Sequence, residues 1–314
     1  MVLRPAGAVV ISLRQHVVTI VAIFLALALG VLAGSAFVQP RLIESLETRV
    51  DEQRTRITEL QGRVGELSDQ LAAEQAFNDA ALPHLTQDRL TGLDVVVLAQ
   101  EGVEDEVVAE TRAALQEAGA TPVVLEARAT LAPQDSDGRA ALAEVLTVAD
   151  PEAEELSRIA AESLADRLAS DERRDPPDPG LLHMLLSDGY LASLDASISD
   201  ETLATIGGPD QVVVVLAGGG APDAAMTPED FAIPLVERLA ELGLPVAAGE
   251  SAGTEVPFVP LLRDGGADGL VTVDDLDQSR GGAELVLGLE RLLRSGLGGD
   301  YGAKGGAAPL PPPP

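Results

Sequence analysis

Residues 93–99 read Leu-Asp-Val-Val-Val-Leu-Ala, and residues 211–217 repeat the pattern as Gln-Val-Val-Val-Val-Leu-Ala. Neither run alternates apolar with polar positions, so each reads as a strand buried on both faces, which is the signature of a parallel sheet. Between the two runs, Val103–Ala118 is an amphipathic helix ending at Gly119, and Thr121–Glu126 a second strand. After Gln211–Ala217 come a helix over Pro228–Leu242, a strand at Pro245–Ala248 and a helix near Val256–Arg263. A strand at Gly269–Val273 and a helix over Gly282–Ser295 close the series. Strands that alternate with helices predict an α/β domain over residues 93–296, doubly wound and mostly parallel, with about five strands. Residues 139–205 form a helical insertion, which includes helical patches at Leu181–Ser187 and Tyr190–Ser197. The insertion is interrupted by Asp171–Gly180, DERRDPPDPG, whose prolines and charges fit neither period.

Upstream, the period changes twice. Val17–Val38 is an uncharged 22-residue stretch, which as a helix spans about 33 Å, enough for a bilayer core. Two readings fit it: a retained anchor, or a signal peptide cleaved near Ala33–Ala36. The anchor is expected, because the apolar run exceeds an ordinary signal-peptide core. Gly30 and Gly34 form a GxxxG pair, a spacing that lets two such helices approach closely. After Pro40, apolar residues fall in steps of three and four. Ile43, Val50, Ile57, Val64 and Leu71 take position a, and Leu46, Gln53, Leu60, Leu67 and Glu74 position d. Mainly β-branched a residues with Leu at d favour a parallel two-stranded coiled coil, with a single amphipathic helix as the alternative. The expected organisation is a cytoplasmic N-terminus over 1–16, a membrane helix over 17–38 and a coiled coil over 41–76. A linker over 77–92, with Pro83 inside, leads to the α/β domain over 93–296, and a flexible Gly/Pro tail occupies 297–314.

Charge divides along the same line. The chain carries 51 acids against 21 bases, a net charge of −30. Residues 1–40 hold Arg4 and Arg14 and no acid, hence +2, leaving −32 beyond Pro40. By the positive-inside rule the N-terminus stays cytoplasmic and the acidic body is extracytoplasmic, a single-pass topology. Such acidity excludes nucleic acid as a partner. With no cysteine, thiolate metal sites and disulfides are excluded as well.

Candidate site residues are few. Gly218, Gly219 and Gly220 follow a strand, where a dinucleotide would meet a glycine loop, but position 223 is Asp223 where the fingerprint needs a third glycine. Asp274, Asp275 and Asp277 cluster at a strand end, where carboxylates hold a hard cation or, more commonly, shape the next turn. His183 and Met184 are the only adjacent pair of copper-type ligands, and neighbours on a helix diverge by roughly 100°. Glu250–Ser251 lacks the G-x-S-x-G context of a nucleophile. No catalytic residue and no bound cofactor are expected, and the chain reads as a non-enzyme.

The segment Ile11–His16 (ISLRQH) ahead of the anchor, Leu216–Pro222 (LAGGGAP), Val271–Asp277 (VTVDDLD), Gly281 and Asp300–Gly302 occur together and in order. In this the chain resembles the MctB-type copper-transport family of actinobacterial cell envelopes, over about residues 11–302. The resemblance implies a membrane-anchored envelope protein serving copper export and homeostasis, with copper as the transported ion and an outer-membrane pore as the family's other description. A pore does not follow from the residues themselves, which lack the alternating ten-residue segments of a barrel. The expected partners are the lipid bilayer, further copies of the chain through the coil, and envelope proteins. A scaffold or adaptor of envelope assembly is the alternative function.

Overall fold

The computed structural model describes residues 13–149, 152–170, 180–195, 198–219, 225–266 and 269–308. Most of the proposed cytoplasmic segment, most of the Asp171–Gly180 break, Gly220 and the last six residues therefore lie outside it. The chain forms two compact units, one ending at Ala73 and one beginning at Glu74.

Helix α1 covers Leu13–Thr86. Its Arg14–Gly34 portion has a mean hydropathy of 2.8 and is long and apolar enough to cross a membrane. Further along the first unit, Leu46, Val50, Ile57, Leu60, Val64, Leu67 and Leu71 are all exposed. The polar face carries ion pairs along the helix, Arg63–Glu59 at 2.8 Å and Arg54–Asp51 at 3.8 Å, of the kind that adds a few tenths of a kcal/mol each. The helix does not break after residue 76 but continues through Pro83. Proline forfeits one backbone hydrogen bond, yet only one more turn follows, and the Thr86 hydroxyl donates back to the carbonyls of Leu82 and Pro83. The turn after it is pinned rather than loose. Leu90 is buried and its amide donates to the Ala118 carbonyl, while the Gly92 amide donates to that of Gly119.

The second unit contains β1 (Asp94–Gln100), α2 (Asp105–Glu117), β2 (Thr121–Ala127), α3 (Ser136–Leu146), α4 (Ala153–Ala169), α5 (Gly180–Ser187) and β3 (Leu191–Ser193). There follow α6 (Asp200–Thr205), β4 (Val212–Leu216), α7 (Ala232–Glu241), β5 (Val246–Gly249), α8 (Val259–Gly265), β6 (Val271–Val273), α9 (Ser279–Ser295) and β7 (Gly299–Tyr301). The seven strands form one sheet in the order β3-β2-β1-β4-β5-β6-β7. Every pairing is parallel except β2 with β3. Successive strand residues point to opposite faces, and the core divides accordingly. Val96, Leu98, Val213 and Val215 pack with Leu156 and Leu164 of α4 and Leu235 of α7. Val95, Val97, Val212 and Val214 pack with Leu115 of α2 and Leu285 and Leu289 of α9. Both faces are thus dry, which explains why residues 93–99 and 211–217 carry no polar alternation.

Two expectations are corrected. Of the expected helix Tyr190–Ser197, residues 190–195 are described and are not helical: Leu191–Ser193 pairs antiparallel with β2, and the Asp195 carboxylate accepts the Val124 amide at 2.9 Å. A free sheet edge has outcompeted a local helical preference. Nor are residues 297–308 a flexible tail, because Gly299–Tyr301 is the seventh strand, in register with Val271–Val273. Glycine serves close approach here: a Cβ on Gly298 would overlap the Leu270 backbone, and one on Gly299 the Tyr301 ring. Tyr301 is 1% exposed and among the largest fully buried side chains.

Candidate functional site

In open α/β sheets, ligands bind beyond the carboxyl ends of the strands where the strand order reverses. Here that place lies past β1 and β4, and the chain itself closes it. A Cβ on Gly219 would overlap the backbone of Gly102, with Val103 Cα at 2.6 Å, so the loops after β1 and β4 touch backbone to backbone. Gly218 adopts φ +91°, a conformation natural to glycine, and lies under the Val256 carbonyl and the Glu250 carboxylate. Among the described residues, the first helix after Gly219 is α7, which begins at Ala232.

The three aspartates after β6 turn to three separate protein partners. Asp274 is fully buried. Its Oδ1 accepts the amides of Ala303 at 2.6 Å and Lys304 at 2.9 Å, and its Oδ2 pairs with the Arg263 guanidinium. Arg263 also donates to Thr272 Oγ1 at 2.9 Å and to the Tyr301 carbonyl at 2.7 Å. Asp277 is exposed and accepts the Ala252 amide at 2.6 Å. Among the described residues, no group of three or more His, Asp or Glu is arranged to hold a metal ion. His183 and Met184 are exposed neighbours on α5, and His16 and His84 lie on α1.

Asp275 has a different neighbourhood. Both it and Glu284 are buried, and they share one cation: the Arg280 guanidinium reaches Asp275 Oδ2 and, at 3.2 Å, Glu284 Oε1. Asp275 Oδ1 and Glu284 Oε2 have no hydrogen-bond donor. A proton on Glu284 turns the two orphaned oxygens into a donor and an acceptor. Burial, followed by the charge of Asp275, pushes the Glu284 carboxyl up to about 8, against the opposing pull of Arg280.

Sequence reasoning missed Glu250 as a further buried carboxylate. The Glu250 side chain is 0% exposed. Its Oε2 accepts the Phe258 and Val259 amides at the start of α8, at 2.7 and 3.0 Å. Its Oε1 receives the Lys304 ammonium at 2.6 Å, which also donates to the Ser251 carbonyl at 3.1 Å. Lys304 is the only lysine in the chain, and that singularity was the available signal.

Comparison with known proteins adds the following. The family model described as "Copper transport outer membrane protein, MctB" matches residues 10–312. The copper transporter MctB of Mycobacterium tuberculosis and that of Mycobacterium bovis are each 27% identical to this chain, covering 95% of it and 98% of their own length. That of Mycobacterium leprae is also 27% identical, covering 96% of this chain and 99% of its own. Among solved structures, an aspartate transcarbamoylase from Trypanosoma cruzi is similar at a TM-score of 0.15 and 13% identity, over 68% of this chain and 89% of that one. That level carries no argument.

Proposed function

The chain belongs to the MctB family, and from that premise we propose that it is a membrane-anchored envelope protein serving copper export and homeostasis. The observation that carries this reading is the match along nearly the whole chain to proteins named copper transporters. The apolar Arg14–Gly34 helix and the charge asymmetry about Pro40 support a single-pass anchor with a cytoplasmic N-terminus. The exposed heptad positions from Leu46 to Leu71 support association of copies through the stalk.

The acidic α/β domain acts on copper as part of an assembly rather than as a pore. A sheet packed on both faces by apolar side chains has no water-filled interior, and Val17–Gly34 contains no ionisable side chain to line a path. The −32 beyond Pro40 attracts cations through its field without a dedicated ligand set.

Deleting the gene and growing the strain on graded copper tests the reading, with detergent and lysozyme in parallel. Selective copper sensitivity, restored by the intact gene, is expected. General fragility of the envelope without copper selectivity would overturn it, and copper-specific conductance by the purified protein in liposomes would overturn the non-pore part.

A further inference from the structure

The last described residues form a strap. After β7 the chain turns at Gly302, φ +122°, where a Cβ would overlap the Asp274 carboxylate. It returns so that the Ala308 amide donates to the Asp300 carbonyl at 2.7 Å. Because β5, β6 and β7 are neighbours in that order, Lys304 crosses the carboxyl end of β6 to reach Glu250 at the end of β5. Asp274 holds the crossing from beneath by two amides. The destination is fully formed by other elements: Glu250 is fixed by two α8 amides, and the Ser251 carbonyl lies alongside. Two acceptors converge there on a single nitrogen.

We propose that Glu250 Oε1 and the Ser251 carbonyl form a primary-ammonium pocket at the carboxyl edge of the sheet, filled from within by Lys304 on the strap of residues 299–308. A buried carboxylate is costly without a cation, so the pocket requires a cation, and its geometry suits a compact ammonium on a thin stem. When the strap lifts, the same place receives a primary ammonium carried by another molecule. This inference is independent of the copper role.

Chemical rescue tests it on the full-length protein in detergent micelles, followed by hydrogen exchange. Lys304→Ala removes a propylammonium-sized fragment. The amides at 303, 304, 307 and 308 should then exchange about tenfold faster, while those of β1 and β4 keep their protection. Propylammonium chloride should return the strap's exchange to within about threefold of the wild type, whereas tetramethylammonium and sodium chloride should not. Unchanged exchange in Lys304→Ala, or acceleration that propylammonium does not reverse, would overturn the proposal. Should Lys304→Ala unfold, the uncharged pair Glu250→Gln with Lys304→Met provides the decisive control. Its strap should exchange about tenfold more slowly than that of Lys304→Met alone, which leaves the buried Glu250 carboxylate without a cation, and equal exchange in the two would count against the pocket.

Discussion

Glu284 gives the domain a pH dependence opposite to that of an ordinary paired carboxylate. Its folded-state carboxyl stands at about 8 against an ordinary value of 4.5, because burial and Asp275 outweigh the shared Arg280. The folded state therefore holds a proton that the unfolded state has released throughout that interval. The stabilisation is complete below about pH 4.5 and is lost as pH rises through about 8. At about 1.4 kcal/mol per unit, the full shift corresponds to about 5 kcal/mol, and local relaxation and water entry reduce this to about 3 kcal/mol. Glu284→Gln keeps the shape and donates an amide hydrogen to Asp275 at every pH, so its stability should be nearly flat where the wild type declines. Tyr190 and Tyr301 are the only tyrosines, there is no tryptophan, and both rings are buried in the α/β domain. Tyrosine fluorescence during urea denaturation at pH 5, 7 and 9 therefore reports this domain without interference from α1. A wild-type midpoint that does not fall between pH 5 and pH 9, or a variant with the wild-type slope, would refute the shared proton.

Gly219→Ala should cost about 3 kcal/mol or more in the same denaturation assay, since a methyl group there overlaps the Gly102 backbone and backbone cannot yield as a side chain does. Arg263→Met strands the buried Asp274 carboxylate and should destabilise by about 3–5 kcal/mol, with limited proteolysis cutting the strap before the sheet. Ile57→Glu with Leu60→Glu places charge on the exposed seam and should convert an associated stalk into monomer in analytical ultracentrifugation. A wild type that is already monomeric would remove the basis of that expectation.

Five of the six mutually parallel strands were legible as short apolar runs, β1 and β4 most clearly, because Val95–Ala99 and Val212–Leu216 are buried on both faces. β3 and β7 were not. Leu191–Ser193 is too short for a period to show, and Gly299–Tyr301 lies in a glycine-rich stretch whose composition also describes disorder. What made the latter a strand is its pairing with Val271–Val273, reached through Gly298, where a Cβ would overlap the Leu270 backbone. Among the site residues, Gly218 and Gly219 were found as a loop, and what the sequence did not show is that Gly219 lets two backbones meet. Asp274, Asp275 and Asp277 were found as a cluster, yet adjacent residues on a turning chain diverge, and each met a different partner. Their partners Arg263, Lys304, Arg280 and Glu284 come from α8, the strap and α9, at separations that no local pattern records.

The α/β class, the apolar N-terminal helix, the heptad spacing after Pro40 and the division of charge about Pro40 are all readable from the residues alone. These are periodic or compositional properties, which depend only on near neighbours along the chain. Only the tertiary structure decided which charges are buried and what neutralises them. Pairing Glu250 with Lys304 across 54 residues, or setting Glu284 against Asp275 over one guanidinium, depends on where strands end in space, and burial rather than residue type sets the energy of each.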